Sequence, residues 1–381
     1  MAPPSHDDRT GGVREVARVF LKLGIIGFGG PAAHIAMMRS EVVIRRGWVD
    51  DAEFAELVGA TNLIPGPNST ELAIHLGARR AGWRGLLVGG TCFIAPAVVI
   101  VSVLAALYER YGTQPAAYDI RYGILPVVIA IVAWALVGLA RTSPRSPVEL
   151  LCAAAAFVGF RVHVHELLVL APAAAVGAAA GAAKAWRPPV IRRPLAIAIP
   201  LVVGTARTSL VRLFTVFVEI GAVLYGSGYV LLAFLQRNLV DDLGWITSSQ
   251  LLDSITVGQI TPGPVFTTAT FIGWQVHGVA GAAVATLGIF APSFAFVAAL
   301  GPIVAWTRRH DAARRALRAV TAASLGLMAG VLAELASTGV VDVLTAVVAL
   351  VAFAVLALRP VNSAWLVAAG LAVGVCHALV S

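Results

Sequence analysis

Two groups of hydrogen-bond donors stand in apolar surroundings in this 381-residue chain, each directly after a Pro-Gly-Pro tripeptide. The tripeptides are Pro65, Gly66 and Pro67 in the first half and Pro262, Gly263 and Pro264 in the second. The donors that follow are Asn68, Ser69 and Thr70, and then Thr267 and Thr268. Hydroxyl and amide groups can donate to an anion without carrying a full charge. These residue types therefore predict anion binding near the two tripeptides.

Each tripeptide also sets the position of a helix N-terminus. Proline lacks a backbone N–H and breaks a helix, so a new helix is expected to begin after each Pro-Gly-Pro. Its free N–H groups carry a partial positive charge, and two such ends facing one cavity would form an anion site. A purely structural alternative exists in the first half, because Asn68 and Glu71 have the spacing of a capping box.

Glycines interrupt the first helix of each half. The candidates for backbone contact with the ligand are Gly29 and Gly30 in GFGGP, and Gly226 with Ser227 in YGSG. Without a Cβ, their N–H groups could approach an anion closely. Close packing between helices explains the same glycines as well.

Charged side chains within apolar spans are candidates for function because their burial is costly. Lys22 could attract the anion. Glu219 occupies the matching position in the second half and could pair with Lys22 or carry a proton. The alternatives are a static ion pair, or side chains that extend to the membrane surface.

Four further ionisable residues are candidates for proton coupling. Glu56 and Asp253 match each other and stand on the short helices that lead into the tripeptides, where a solvated mouth is the alternative interpretation. Glu71 and His75 share a helix face through their i,i+4 spacing. His75 could titrate near neutral pH, although a packed histidine is the simpler interpretation.

The elements that position these residues are duplicated. The residues matched at an offset of 197 include Gly24 with Gly221, Gly47-Trp48 with Gly244-Trp245, and the two tripeptides. Beyond the tripeptides the offset is 196, as in Ala95-Pro96 with Ala291-Pro292. A shared register over such a long stretch indicates an internal duplication, which is common among secondary transporters.

Composition places the chain in a membrane. Charged residues make up 13% of the chain, against about 25% in soluble proteins, and hydrophobic residues make up 59%. Long apolar runs without strand-like alternation predict an all-α polytopic membrane protein. The net charge of +8 fits basic cytoplasmic loops better than nucleic-acid binding. Residues 1–13 are expected to form a disordered N-terminal tail without a signal peptide.

Each half contains the same series of predicted elements. A broken first helix (about 16–38 and 213–235) precedes two short helices that flank the tripeptide. In the first half these cover 51–64 and 68–79, too short to cross a core of about 30 Å, so they predict a re-entrant hairpin. Longer spans follow at 84–107, 117–140, 147–161 and 165–184, and at 280–306, 315–336, 340–358 and 362–379.

Five crossings in each half would make the halves inverted repeats. With the 39–50 loop in the cytoplasm, this topology places most of the 28 Lys and Arg residues on the cytoplasmic side. The prediction is two inverted homologous repeats with about ten transmembrane helices, two re-entrant Pro-Gly-Pro hairpins and both termini outside. The boundaries are expected at 14–184 for the first transporter repeat, 185–209 for a cytoplasmic linker and 210–381 for the second repeat.

No pattern predicts an enzyme or a cofactor. The chain lacks H-E-x-x-H, G-x-S-x-G and a cluster of metal ligands. The sequence HVHE at 163–166 comes nearest to a metal site, but no further ligand accompanies it.

Four stretches resemble the chromate ion transporter family in its long, two-domain form. They are FLKLGIIGFGGPAAHIAMMRSEVV, LIPGPNSTELAIHLGARRAGWRGL, GAVLYGSGYVLLAFL and GQITPGPVFTTATFIGWQVHGVAGAAVATLGIFAPSF. The resemblance implies a multi-pass transporter of the bacterial inner membrane that exports chromate, a tetrahedral dianion, and confers chromate resistance. It also implies an antiporter driven by the proton-motive force. The motif residues carried over are Gly27, Phe28, Gly29, Gly30 and Pro31, both tripeptides, and Gly226, Ser227 and Gly228.

Alternatives stay open for the ligand and the mode of transport. Sulfate or another oxyanion, with uptake instead of export, fits the same fold, and so does a passive anion channel. A membrane enzyme or a scaffold fits poorly. The expected partners are the oxyanion, protons and the lipid bilayer, without nucleic acid, in a monomer or a homodimer.

Overall fold

The computed structural model describes residues 6–28, 30–61, 63–111, 115–142, 146–162, 164, 166–182, 209–224, 231–300, 310–359, 361 and 363–380. This part of the chain consists of helices and their connections, and it contains no strand. The helices of the first half are α1 (His6–Ile26), α2 (Gly30–Arg39), α3 (Asp51–Thr61), α4 (Asn68–Tyr111), α5 (Pro115–Thr142), α6 (Pro147–Arg161) and α7 (Glu166–Ala182). Those of the second half are α8 (Leu210–Val223), α9 (Leu231–Leu235), α10 (Ser248–Ile260), α11 (Thr268–Ala298), α12 (Asp311–Gly339), α13 (Val343–Leu358) and α14 (Ser363–Val380).

The first helix of each half is interrupted near its glycines. In the first half α1 ends at Ile26 and α2 begins at Gly30, while in the second α8 ends at Val223 and α9 begins at Leu231. Helix α1 begins at His6, earlier than the span expected from residue 16 and within the segment expected to be a tail. Two π-helical turns at matching positions extend α2 and α9, over Ser40–Arg45 and Gln236–Asp242.

Side-chain caps determine where several helices begin. The Glu149 carboxylate accepts from the N–H of Ser146 at 2.8 Å, and the Ser146 hydroxyl accepts in return from the N–H of Glu149. Thr247 and Gln250 form the same capping box at the start of α10. These caps satisfy N–H groups that the first helical turn leaves without a partner.

Helix α4 consists of two antiparallel arms rather than one straight rod. Ala81 and Gly82 have non-helical dihedral angles, with φ of −139° and 61°. Gly77 lies against Gly85 so closely that neither position has room for a Cβ. In a straight helix these two residues would be about 12 Å apart along the axis, so the chain reverses between them. The short arm (68–80) and the long arm (83–111) agree with the separate helices predicted at 68–79 and 84–107.

The second half repeats this backbone geometry. His277 and Gly278 in α11 have φ of −144° and 57°, and they stand 196 residues after the reversal in α4. Gly273 lies against Gly281, as Gly77 lies against Gly85. We name the arms of α11 in the same way, with a short arm at 268–276 and a long arm at 279–298. The duplication seen in sequence therefore extends to the turns that position the tripeptides.

The remaining helices of the two halves pack against each other reciprocally. Helix α5 packs against α13 and α14, and its counterpart α12 packs against α6 and α7. Glycines allow these contacts, because Gly123 of α5 lies against Gly370 of α14 and Gly326 of α12 lies against Ala153 of α6. Helices α4 and α11 also contact each other. Each half thus completes the packing of the other.

Several helices have the length and composition to cross a membrane. In the described part of the chain four qualify, Asn68–Tyr111, Arg121–Arg141, Val265–Ala298 and Asp311–Ser337, and shorter apolar helices lie at Leu168–Ala180, Val343–Leu358 and Trp365–Leu379. The shorter helices expose large apolar side chains, such as Leu350 at 69% and Trp365 at 74%, which lipid would cover. The number of crossings and the re-entry of the hairpins stay predictions.

Candidate functional site

The two Pro-Gly-Pro tips contact the helix breaks of the opposite halves. The N–H of Gly66 donates to the carbonyl oxygen of Leu224, which follows the last residue of α8, at 2.8 Å. The N–H of Gly263 donates to the carbonyl oxygen of Gly27, just after α1, also at 2.8 Å. Both tip glycines have positive φ, 133° and 97°, which other residues rarely adopt. The tips and the breaks therefore form one central region, which we call the tip region.

The predicted ligand residues of the breaks are only partly described. Gly27 and Phe28 connect α1 to α2, and Gly30 opens α2 with a φ of 78°. Gly29 and the second-half residues Gly226, Ser227 and Gly228 lie outside the described residues. Their contact with a ligand stays a prediction.

The predicted hydroxyl donors are all buried, but they differ in what they contact. The Thr267 and Thr268 hydroxyls donate to the carbonyl oxygens of Pro264 and Val265, each at 2.8 Å. The Thr70 hydroxyl has no partner among the described residues, although the side chain is fully buried. The first tip thus keeps a free hydroxyl, whereas the second tip uses its hydroxyls to close its own turn. Asn68, partly buried, is the first residue of α4.

A histidine that the sequence analysis missed joins the first break to the first tip. His34 on α2 is 1% exposed, and its Nε2 lies 2.9 Å from the carbonyl oxygen of Gly27. A carbonyl only accepts, so Nε2 carries the hydrogen, and Nδ1 accepts from the Ser69 hydroxyl at 3.2 Å. The ring also meets Phe93 edge-on, with 5.3 Å between centroids. In the sequence, the only signal for His34 was that a polar residue ends the otherwise apolar motif GFGGPAAH.

Glu71 is fully buried beside the first tip. Neither of its carboxylate oxygens has a hydrogen-bond partner in the described part of the chain. A Cβ on Gly66 would overlap Oε1 of Glu71 and lie 2.8 Å from the Ser293 hydroxyl, so all three residues meet at one point. The capping box considered for Asn68 and Glu71 does not form, because the Glu71 side chain accepts no backbone N–H.

Lys22 has a partner other than the one considered from the sequence. Its Nζ lies 3.4 Å from Oε2 of Glu41, not next to Glu219, and its side chain is 46% exposed. Arg46 donates to the other oxygen of Glu41 at 3.1 Å. Burial opposes ionisation of Glu41, but the hydrogen bonds from Arg46 and Lys22 outweigh it and hold the pKa of Glu41 below its ordinary value. Lys22 therefore belongs to a cationic cluster around one acid.

Three other candidates lie in different surroundings. Glu56 is exposed on α3. Glu219 is half-buried on α8, and His75 is half-buried on the short arm of α4 with an Nδ1 that lacks a partner. Their roles in proton coupling stay predictions.

Asp253 lies in a cleft of about 270 Å³ between α4, α5 and α10. The Tyr108 hydroxyl donates to its Oδ2 at 2.5 Å, and Arg121 Nη2 lies 2.7 Å from the same atom. Arg121 also donates to the Ser249 hydroxyl. Asp253 was predicted from the sequence, whereas its partners Tyr108 and Arg121 come from other helices and were not predicted. The acid is therefore part of a hydrogen-bonded ion pair.

Among the described residues, no group of three or more His, Cys, Asp or Glu side chains is placed to hold a metal ion. His163 and His165 of the HVHE sequence fall outside that part, while Glu166 opens α7.

Comparison with known proteins gives a consistent set of relatives. A family model described as "Chromate transporter" matches residues 14–180 and again residues 211–375. A "Probable chromate transport protein" of Synechococcus elongatus is 32% identical over 89% of this chain and 88% of its own length. "Chromate transport protein" sequences of Cupriavidus metallidurans and Pseudomonas aeruginosa are each 31% identical, over 92% and 73% of this chain and 89% and 70% of their own lengths. No solved structure matches the chain.

Proposed function

This chain belongs to the chromate transporter family, and on that premise we propose that it exports chromate from the cytoplasm across the bacterial inner membrane. Export is driven by the proton-motive force, in exchange for protons, in a secondary transporter. The names of three relatives support chromate as the substrate. Sulfate has the same tetrahedral shape and charge, so it is the competitor against which selectivity has to be measured.

The reciprocal contacts between tips and breaks carry this proposal. They join the N-terminus of each short arm to the interrupted helix of the other half. Irregular backbone and helix N-termini at such a place are the means by which transporters bind anionic groups without burying a dense cluster of cations. We place the oxyanion in the tip region.

The ligands that we propose are neutral donors. The Asn68 and Thr70 side chains and the N–H groups at the start of the short arm of α4 serve from the first half, whereas Ser69 serves through its backbone because its hydroxyl already donates to Nδ1 of His34. The backbone N–H groups that precede Thr267 at the second tip serve from the second half, because the hydroxyls and the N–H groups of Thr267 and Thr268 already donate to carbonyl oxygens. Gly29, Gly30, Gly226 and Ser227 contribute backbone donors. Lys22 contributes long-range attraction only, since Glu41 pairs with its ammonium group.

The reciprocal packing supports a two-fold relation between the halves, and the distribution of Lys and Arg residues favours its inverted form. A two-fold axis through the tip region would relate α5 with its partners α13 and α14 to α12 with its partners α6 and α7. In an inverted pair this axis lies in the membrane plane, and the two halves open to opposite sides. We propose ten crossings and two re-entrant hairpins on this basis.

Uptake of labelled chromate into everted inner-membrane vesicles tests the function. An energised exporter accumulates chromate in these vesicles, an uncoupler abolishes the accumulation, and excess sulfate reduces it only weakly. Absence of accumulation, or accumulation that an uncoupler leaves unchanged, contradicts the proposal. A passive channel would equilibrate chromate without concentrating it.

A further inference from the structure

We propose that Glu71 and Ser293 form the site that binds the coupling proton, with the Glu71 carboxylate as its carrier. This inference rests on the proposed function, because it assigns the proton of that transport cycle to one place. The step is the formation of one O–H bond on a carboxylate oxygen, and no other bond changes.

Burial without a partner is the first observation. Glu71 is 0% exposed and neither oxygen accepts a hydrogen bond within the described residues. An ionised carboxylate in such a position carries a large desolvation cost, which a proton removes. The neutral carboxyl also gains an O–H donor, and the Ser293 hydroxyl beside it is likewise buried and without a partner. The pair is thus suited to hold a proton.

The second observation is that only one of the two tips carries this acid. At the second tip Thr267 and Thr268 stand in the turn that corresponds to Glu71, and both hydroxyls donate to carbonyl oxygens. Ala97 occupies the position that corresponds to Ser293, and its methyl group lies where a Cβ on Gly263 would point. A duplicated structural feature would be equally polar at both tips. The difference indicates a function that the chain needs once.

The third observation is the absence of a compensating charge in the described part of the chain. The helices around the first tip carry several ionisable residues, among them Lys22, His34, Glu56, His75, Glu219 and His277. None of them pairs with Glu71, whose oxygens have no partner. Lys22 contacts Glu41, and both ring nitrogens of His34 are engaged by Gly27 and Ser69. A proton is therefore the available means of neutralising Glu71 in this conformation.

Conformation and protonation are coupled by this arrangement. In the present structure the carboxyl is sealed from water, and the neutral form is favoured. A conformation that opens the first tip to water removes the desolvation cost and lets the proton leave. Alternation that exposes Glu71 to one side of the membrane for binding and to the other side for release would then move one proton in each transport cycle.

Chromate flux in proteoliposomes tests the assignment. Purified wild-type protein should exchange labelled for unlabelled chromate at equal pH, and an imposed pH gradient should drive additional net flux. Glu71→Gln should keep the exchange and lose the response to the pH gradient, and Ser293→Ala should weaken that response. Asp311→Asn, which changes an exposed acid paired with Arg314, is the matched control and should behave as wild type. A pH-gradient response that persists in Glu71→Gln, or a wild type that responds to a sodium gradient instead, overturns the proposal.

Infrared difference spectroscopy on the same proteins separates this inference from the transport proposal, because it needs no substrate. Wild-type protein between neutral and alkaline pH should show the C=O stretching band of a buried protonated carboxyl, and Glu71→Gln should lack this band. Identical spectra for the two proteins would exclude Glu71 as the carrier. If wild-type protein exchanges no chromate, the proposed substrate is wrong. The infrared result still shows whether Glu71 binds a proton.

Discussion

The N–H of Gly263 lies 2.8 Å from the carbonyl oxygen of Gly27, and this contact joins the second tip to the first helix break. The equivalent contact from Gly66 to Leu224 joins the first tip to the second break at the same distance. Each half therefore supplies the backbone acceptor that holds the other half's tip. Through these two hydrogen bonds, a rearrangement of one half would act on the tip of the other, as the proposed transport cycle requires.

Replacing Gly66 should destabilise the first tip. In Gly66→Ala the new Cβ would overlap Oε1 of Glu71 and lie 2.8 Å from the Ser293 hydroxyl, at a φ of 133°. We expect a loss of about 1–3 kcal/mol, measured by thermal unfolding in detergent. Gly59→Ala on α3, where a Cβ meets nothing within 4 Å, is the control and should not lower stability. Equal stability of both variants would disprove the close contact.

The two tips should respond differently to the same substitution. Thr70→Val removes a buried hydroxyl that has no partner among the described residues, and we expect chromate affinity to fall about 10- to 150-fold, since a hydrogen bond to a charged group contributes about 1.5–3 kcal/mol. Thr267→Val removes a hydroxyl that donates to Pro264, so its effect on affinity should be clearly smaller. Transport KM values measure both. A larger effect of Thr267→Val than of Thr70→Val would indicate that the anion binds nearer the second tip.

Arg121 and Asp253 should behave as a coupled pair. Arg121→Gln leaves the buried Asp253 carboxylate with the Tyr108 hydroxyl alone, and a loss of about 2–3 kcal/mol is expected. Combining it with Asp253→Asn should restore part of the stability, because the unpaired charge is gone. Unfolding of the two single variants and the double variant gives the coupling energy. Strictly additive effects would show that the ion pair is not formed.

The cationic cluster around Glu41 should make stability depend on pH on the acid side. The pKa of Glu41 in the folded protein lies below its ordinary value, so the unfolded state binds the proton more readily. The stabilisation is present above the ordinary glutamate pKa and is lost as the pH falls through the lower, folded value. Glu41→Gln should flatten this part of the stability profile. If Glu41→Gln has the same dependence of stability on pH as wild type at acid pH, the contacts of Glu41 with Lys22 and Arg46 contribute nothing to stability in solution.

Local signals explain which parts of the fold were predictable. The break after Ile26, the short helices around each Pro-Gly-Pro and the helix at 147–161 follow from glycine, proline and capping residues close by in the sequence. Because the second half contains matching residues, the same elements were predicted there. The start of α1 at His6 was missed because its first residues are polar.

Side-chain partners were not predictable in the same way, because they depend on how separate helices meet. His34 contacts Ser69 across 35 residues, and Arg121 reaches Asp253 from another half of the chain. Lys22 was considered with Glu219 from the repeat register, whereas the fold brings Glu41 to it. Register identifies equivalent positions, but only the three-dimensional packing decides which of them touch.

Chromate counterflow by the purified protein shows directly whether the protein transports chromate. Liposomes that contain the wild-type protein and unlabelled chromate should take up labelled chromate transiently above its external concentration, and preloading with sulfate should support less uptake. Thr70→Val should reduce the affinity for labelled chromate in the same assay. If liposomes with wild-type protein take up no more label than protein-free liposomes, the protein does not transport chromate.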